Sequence, residues 1–514
     1  MKREVQSSKL KRSSNFQVSS FKTAWRAVIG GWSLFLLLSF ELCSLSFAAA
    51  SRPSILLAIG DNWSWGHASA LGDPVVRTPV FDRIAREGVL FNHAFCPVPS
   101  CSPTRSSLLT GRAAHQLEDA ASLWSAFPRK LRVFTDQLRA AGYEVGFTGK
   151  GWSPGRFKEY GWEENPAGKQ YASFDEFMAR RDVSKPFFFW HGNVDTALHR
   201  WRYDTNGASG LDAKKIIVPP MLPDAPDVRA DMLAYYGGAG RMDKVFGDAI
   251  ALIEKAGALE NTAIIYTSDN GWQMPRGLAN CYDTGTRVPL AIRWGNKLTA
   301  GRKVDDFVSL TDFAPTFLEL AGLKPTPEMT GRSFVDVLLG KPGAAPRDHV
   351  FVERERHANV RRGDLSYPIR GIRTKDFLYL WNMRPDRWPA GDPKVYMSVG
   401  DYGDVDGCRA KDYILARQNE PGMEKFYNLN FGKRPAEELF DLRKDPHQLL
   451  NVAGRAEYAA AQKELRARVE KWMRDTADPR VAPGYDAWDK YPYFGGRVVD
   501  EDGKPLPKGK TKKK

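Results

Sequence analysis

The sequence predicts an α/β protein with a large, mostly parallel sheet between helices, followed by a smaller α+β C-terminal domain. Three observations predict it. Short continuous apolar runs, at residues 53–60 and 186–190 for example, read as strands buried on both faces. Stretches of helical periodicity alternate with these runs, as strand–helix–strand units require. From roughly residue 365 the alternation gives way to short strands and one long amphipathic helix.

The first strand, residues 53–60, ends in Asp61-Asn62. These are oxygen donors at a strand's carboxyl end, where open α/β sheets bind ligands, although an ordinary turn uses the same dipeptide. Residues 78–88 read as a capped helix with an early proline and a closing glycine, and 89–95 as a second strand leading toward Cys101. Residues 133–141 read as a helix, and 143–147 as a strand ahead of a Gly149-Lys150 loop. Strand 186–190 precedes a polar loop with Asp195 and His199. Helical periodicity runs from 230 to 256, strand 263–267 ends in Ser268-Asp269-Asn270-Gly271, and 289–294 is a further strand. Residues 342–346 read as a linker, with 350–353 able to join the first sheet. Short strands at 379–381 and 438–442 and a helix at 457–475 complete the C-terminal part. The expected division is a cleaved signal peptide at 1–50, a catalytic domain at 51–360, an α+β subdomain at 361–500 and a disordered basic tail at 501–514.

A chain of 514 residues, 42% hydrophobic and with 15 tryptophans, has ample material for a globular interior and none of the bias of a fibrous or disordered protein. The net charge of +14 is concentrated at the ends. Residues 1–50 carry seven basic and two acidic side chains, and residues 504–514 carry six lysines and no acid, so residues 51–503 hold only +3. That distribution argues against a nucleic-acid protein. The basic start, the apolar stretch 27–47 and Ala48-Ala49-Ala50 before Ser51 read as an export signal. A retained membrane anchor is the rival reading, because the stretch is near spanning length. Export to a periplasmic or extracellular space, or a lysosome-like compartment in a eukaryote, is expected, without stable membrane association after cleavage. Cys43 leaves with the signal, and Cys96, Cys281 and Cys408 allow at most one disulfide beside Cys101.

The organising stretch is residues 101–112, CSPTRSSLLTGR. A lone cysteine is commonly a small buried hydrophobe. Here Ser102 reads as a helix N-cap, Pro103 suits a first turn, and Arg105 adds a guanidinium to free helix N–H groups, which together make an anion site. Cysteine, proline and arginine at these offsets, with the Leu-Leu-Thr-Gly-Arg ending, resemble the signature of the sulfatase family. The resemblance extends in order through Asp61, Gly149-Lys150, Ser268-Asp269-Asn270-Gly271 and Tyr282-Asp283-Thr284-Gly285, and spans about residues 52–453. Within the family it is nearest the heparan N-sulfatase (sulfamidase)-like branch, on Leu123-Trp124, Gly149-Lys150-Gly151-Trp152, residues 384–389 and residues 439–447.

This resemblance implies an alkaline-phosphatase-like sandwich and hydrolysis of sulfate esters or sulfamates of glycans, N-sulfoglucosamine favoured. It implies formylglycine made from Cys101 by a maturing enzyme, and a Ca2+ or Mg2+ site formed by Asp61, Asn62, Asp269, Asn270 and residue 101. Hard divalent cations take such oxygen donors. Arg105 and the metal would hold the modified residue 101, Lys150 would neutralise sulfate and His199 would protonate the leaving group. His115 is the candidate base for expelling sulfate. Arg276 and His357 are candidate substrate contacts, although a surface charge run also accounts for His357. Three positions depart from the family pattern: Asn62 replaces an aspartate, Trp152 a histidine, and Leu278 a lysine. They keep two rivals in view, a phosphoester or phosphonate hydrolase of the same superfamily and a non-catalytic binder of sulfated glycans.

Overall fold

The computed structural model describes residues 52–202, 204, 208–500 and 504–506. The predicted signal peptide and most of the predicted basic tail lie outside them. Among the described residues, one sheet contains β1 (Ser54–Gly60), β2 (Val89–Phe95), β3 (Glu144–Gly149), β4 (Lys169–Gln170), β5 (Phe187–Asn193), β6 (Thr262–Ser268), β7 (Leu290–Arg293) and β8 (Arg302–Ser309). Its order is β8-β2-β7-β6-β1-β5-β3-β4. Every pairing is parallel except those of β7.

Alternation along the central strands explains why they are apolar throughout. Leu57 and Ile59 of β1, with Trp190 and Ile265, face one core. Leu56 and Ala58, with Phe189 and Tyr266, face a second core on the opposite side. The helix Cys101–Thr110 contributes Leu108 and Leu109 to the first core. The 30-residue helix Pro226–Lys255 covers the second with Met232, Tyr235 and Phe246. Both faces of the sheet are therefore dry, as a parallel sheet requires.

A second, antiparallel sheet runs β9 (His349–Arg354), β10 (Ile369–Thr374), β11 (Phe377–Asn382), β12 (Glu437–Asp441). The helix Ala459–Asp475 packs Leu465, Val469 and Met473 against Ile372, Tyr379 and Leu439. The segment at 350–353 belongs to this sheet, where β9 pairs with β10, and not to the first. The second sheet thus begins directly after the 342–346 linker, before the expected boundary at 360. No disulfide forms among the described cysteines: Cys96, Cys101, Cys281 and Cys408 are all free and buried.

Candidate active site

The site is assembled by strand register. Gly60 of β1 lies opposite Ser268 of β6 and Asn193 of β5, while Gly149 of β3 lies opposite Gly192 of β5. The four carboxyl ends are level, so the next residues, Asp61, Asp269 and Lys150, emerge side by side. Gly149 and Gly192 permit this: Gly149 has φ +67°, and a Cβ on either would strike the facing backbone.

The helix Cys101–Thr110 points its N-terminus at these strand ends. Its cap is Ser100, not Ser102, so Pro103 sits two residues deeper, still within the first turn. Ser100 leaves the helix N–H groups uncapped and joins its hydroxyl to His357 Nδ1 at 2.8 Å. The carboxylates of Asp61 and Asp269 and the Cys101 sulfur lie within 4.8 Å of one another. Asn270 Nδ2 donates to Asn62 Oδ1 at 2.7 Å, whereas Asn270 Oδ1 is buried with no partner. Two clustered carboxylates, with a buried amide oxygen left without a donor on the residue after Asp269, are a donor set that fits a hard divalent cation.

Charge within the cluster is balanced before any ligand enters. Arg105, fully buried, donates from Nε to Asp269 at 2.9 Å, from Nη1 to the carbonyls of Lys150 and Gly151 at 2.7 and 2.9 Å, and approaches Asp61 at 3.5 Å. Lys150 Nζ donates to Asp61 Oδ1 at 2.5 Å. Although burial opposes ionisation, the charges of Lys150 and Arg105 hold the Asp61 carboxyl far below its usual range. Burial dominates at Asp269, which rises to about 6, with Asp61 adding to the rise against the pull of Arg105. Burial and the neighbouring Asp61 push the Cys101 thiol well above its ordinary value, so the thiol stays protonated and is a poor nucleophile as it stands.

A cavity of about 310 Å3 opens onto the cluster. Asp61, Asn62, Cys101 and Lys150 line it together with His199, His357, Gln273 and Leu278. His199 is exposed on the short helix Leu198–Trp201. His357 is buried, which depresses its pKa to about 4 and keeps it neutral; residues 353–357 are all buried, so the surface-run reading fails.

Two predicted residues sit elsewhere. Gly111, in the left-handed conformation, ends the signature helix and turns the chain so that His115 Nδ1 meets Glu353 at 2.9 Å and Nε2 meets Thr476 at 2.9 Å. Both ring nitrogens are thus engaged, one with the second sheet at Glu353 and one with the end of the helix Ala459–Asp475 at Thr476. Arg276 has φ +64°, donates to the carbonyls of Leu429 and Gln448, and lies 3.7 Å over the Tyr282 ring. Neither residue lines the cavity. Trp152 donates to Ser106 Oγ at 2.8 Å and braces the signature helix from behind. Sequence reasoning missed Gln273, Asp406 and Tyr493 on the cavity wall. Gln273 followed the Asp269-Asn270 motif by only three residues and offered a signal, whereas the other two come from irregular segments.

Comparison with known proteins decides the family. The sulfatase family model matches residues 53–323, more than half of the chain. The chain belongs to the sulfatase family. A second model, N-sulphoglucosamine sulphohydrolase, C-terminal, matches residues 276–394. The human N-sulphoglucosamine sulphohydrolase is 29% identical over 502 residues, covering 87% of this chain and 94% of that protein. An ulvan-active sulfatase of Formosa agariphila is 27% identical over 486 residues, covering 84% and 76%. Among solved structures, BT4656 in complex with its substrate D-glucosamine-2-N,6-O-disulfate superposes with a TM-score of 0.56 at 20% identity, covering 83% of this chain and 99% of that one. The sandwich of this sulfatase is the alkaline-phosphatase-like architecture expected from the sequence.

Proposed function

We propose that this sulfatase is an exported sulfohydrolase of sulfated glycans that favours N-sulfoglucosamine units. The observation that carries the reading is the placement of Cys101 at the cavity floor, between two carboxylates and beside Lys150. The match to the N-sulphoglucosamine sulphohydrolase C-terminal model supports the branch. The exposed indole of Trp124, at the cavity wall, offers the flat apolar face on which a sugar ring stacks.

Formylglycine at residue 101 would supply a hydrated aldehyde as nucleophile, and Asp61, Asn62, Asp269 and Asn270 would hold a Ca2+ or Mg2+ ion that supplies adjacent positive charge. The chain's own groups divide the remaining work. Lys150, at the cavity surface, neutralises a sulfate oxygen while its ion pair with Asp61 fixes its direction. Arg105 is sealed off from the cavity and orients Asp61, Asp269 and the Lys150 loop. His199 reaches the leaving group from the wall and gives it a proton. His357, neutral and bonded to the residue preceding Cys101, takes the proton-accepting place expected of His115.

The test is sulfate release from N-sulfated and O-sulfated glucosamine disaccharides, using protein whose residue 101 has been confirmed as formylglycine by peptide mass. Release from the N-sulfated sugar is expected. Release from the O-sulfated sugar alone would discard the branch, and faster turnover of an aryl phosphate than of an aryl sulfate would discard the sulfohydrolase.

A further inference from the structure

Part of the cavity wall is built by a segment outside both family-model matches. Val399, Gly403 and Asp406 line it, together with Tyr493 from the C-terminal end of the chain. The segment is held under strain: Met397, Val399 and Tyr402 have φ of 60°, 70° and 48°. Such conformations persist only where surrounding contacts impose them. Those contacts are present. Lys411 Nζ donates to the carbonyls of Asp401, Tyr402 and Val405, Tyr402 N to Asp392 O, and Val498 N to Met397 O.

Asp406 is the acidic side chain that this segment brings to the wall. Its Oδ2 accepts from Gln273 Nε2 at 2.5 Å, and Gln273 Oε1 accepts in turn from Asn62 Nδ2 at 3.1 Å. The carboxylate is therefore registered to the metal-binding corner through one side chain. Its Oδ1 makes no hydrogen bond among the described residues, and the side chain is only partly covered. A fixed carboxylate with an open lone pair selects a donor. A sugar hydroxyl satisfies it, whereas a sulfate group has only acceptor oxygens and would leave two sets of lone pairs facing each other.

We propose that Asp406 is a specificity-determining residue that accepts a hydroxyl of the sulfated sugar and rejects a second sulfate at that position. The inference rests on the N-sulfoglucosamine reading and deepens it. Burial raises the Asp406 pKa and Asp404 adds to the rise, while the hydrogen bond from Gln273 and the charges of Lys411 and Arg202 oppose it. Lys411 donates to three neutral carbonyls, so like-charge repulsion and the acceptor–acceptor mismatch act together against a sulfate at this place.

Binding is measured by calorimetry on the Cys101→Ser variant, which holds substrate without turnover, with glucosamine-2-N-sulfate and glucosamine-2-N,6-O-disulfate as probes. The monosulfated sugar is expected to bind at least tenfold more tightly. In Asp406→Asn, whose amide donates where the carboxylate accepts, the ratio is expected to fall toward one. An unchanged ratio with both sugars bound would overturn the role of Asp406 and leave the substrate class standing. Failure of both sugars to bind would overturn the substrate class and this inference with it. Asp406→Glu, which keeps the acceptor, should retain the preference. A ratio lost equally in Asp406→Glu and Asp406→Asn would show that the segment had merely collapsed and would also overturn the proposal.

Discussion

Asn270 Oδ1 is a buried acceptor without a donor, an arrangement that costs about 1–3 kcal/mol when nothing fills it. The proposed divalent cation would fill it. In Asn270→Ala the calcium concentration at the midpoint of the thermal-stability gain should rise at least tenfold, while the metal-free melting temperature changes little. An unchanged midpoint would remove Asn270 from the ligand set. Lys150 differs in kind, because its ammonium both pairs with Asp61 and faces the cavity. Lys150→Ala should lower kcat by roughly 10^2 or more, since a charge aimed at the transferring group acts mainly in the transition state. Arg105 keeps Asp61 paired in that variant, so the fold should survive, and equal melting temperatures with equal kcat would refute the role. The sequence made Asp61, Lys150 and Asp269 legible because each follows an apolar strand directly. It misled at His115, which follows the left-handed Gly111, and at Arg276, whose own backbone is left-handed, because each redirects the side chain.

At the scale of elements, the level ends of β6, β1, β5 and β3 make four separate motifs into one site. Gly149 is the element most exposed to test. Alanine there must adopt φ +67° and must push aside the Gly192 carbonyl that accepts from Lys150 N at 3.2 Å. The left-handed conformation alone costs about 1–2 kcal/mol. Gly149→Ala should therefore lower the melting temperature and, by swinging Lys150 away from Asp61, lower kcat further than the stability loss explains. A variant with reduced stability but full kcat would show that Lys150 does not depend on this crossing. The parallel strands were legible from their unbroken apolar runs. The strand His349–Arg354 was harder to assign, because Val350 and Val352 suit either sheet and only pairing with Ile369–Thr374 settles the matter. The 397–406 segment carries no periodicity, and its part in the site comes entirely from tertiary contacts.

For the whole molecule, four wholly or partly buried histidines set the response to acid. His67, His93, His191 and His357 are each depressed to about 4, with burial the leading cause. Between pH 6.5 and 4 the unfolded chain binds protons at these positions that the native state refuses, so stability falls as pH falls through that window. His191 and His357, both buried, contribute up to about 3 kcal/mol each on this account. Asp243 and Asp269, raised to about 6, act with the opposite sign between their folded pKa and 3.8. Metal at Asp269 would remove one of these opposing groups, so calcium-loaded protein should lose stability the more steeply on acidification. His191 isolates the effect. Its Nδ1 is buried without a partner, and its ring lies against Phe246 at 5.2 Å and Phe174 at 6.2 Å. Phenylalanine keeps an aromatic ring against those neighbours and carries no proton. His191→Phe should therefore raise the melting temperature more at pH 5 than at pH 7.5 in matched calorimetry. A gain of equal size at both pH values would mean that packing, and not the refused proton, accounts for it, and that the acid response has its origin elsewhere in the molecule.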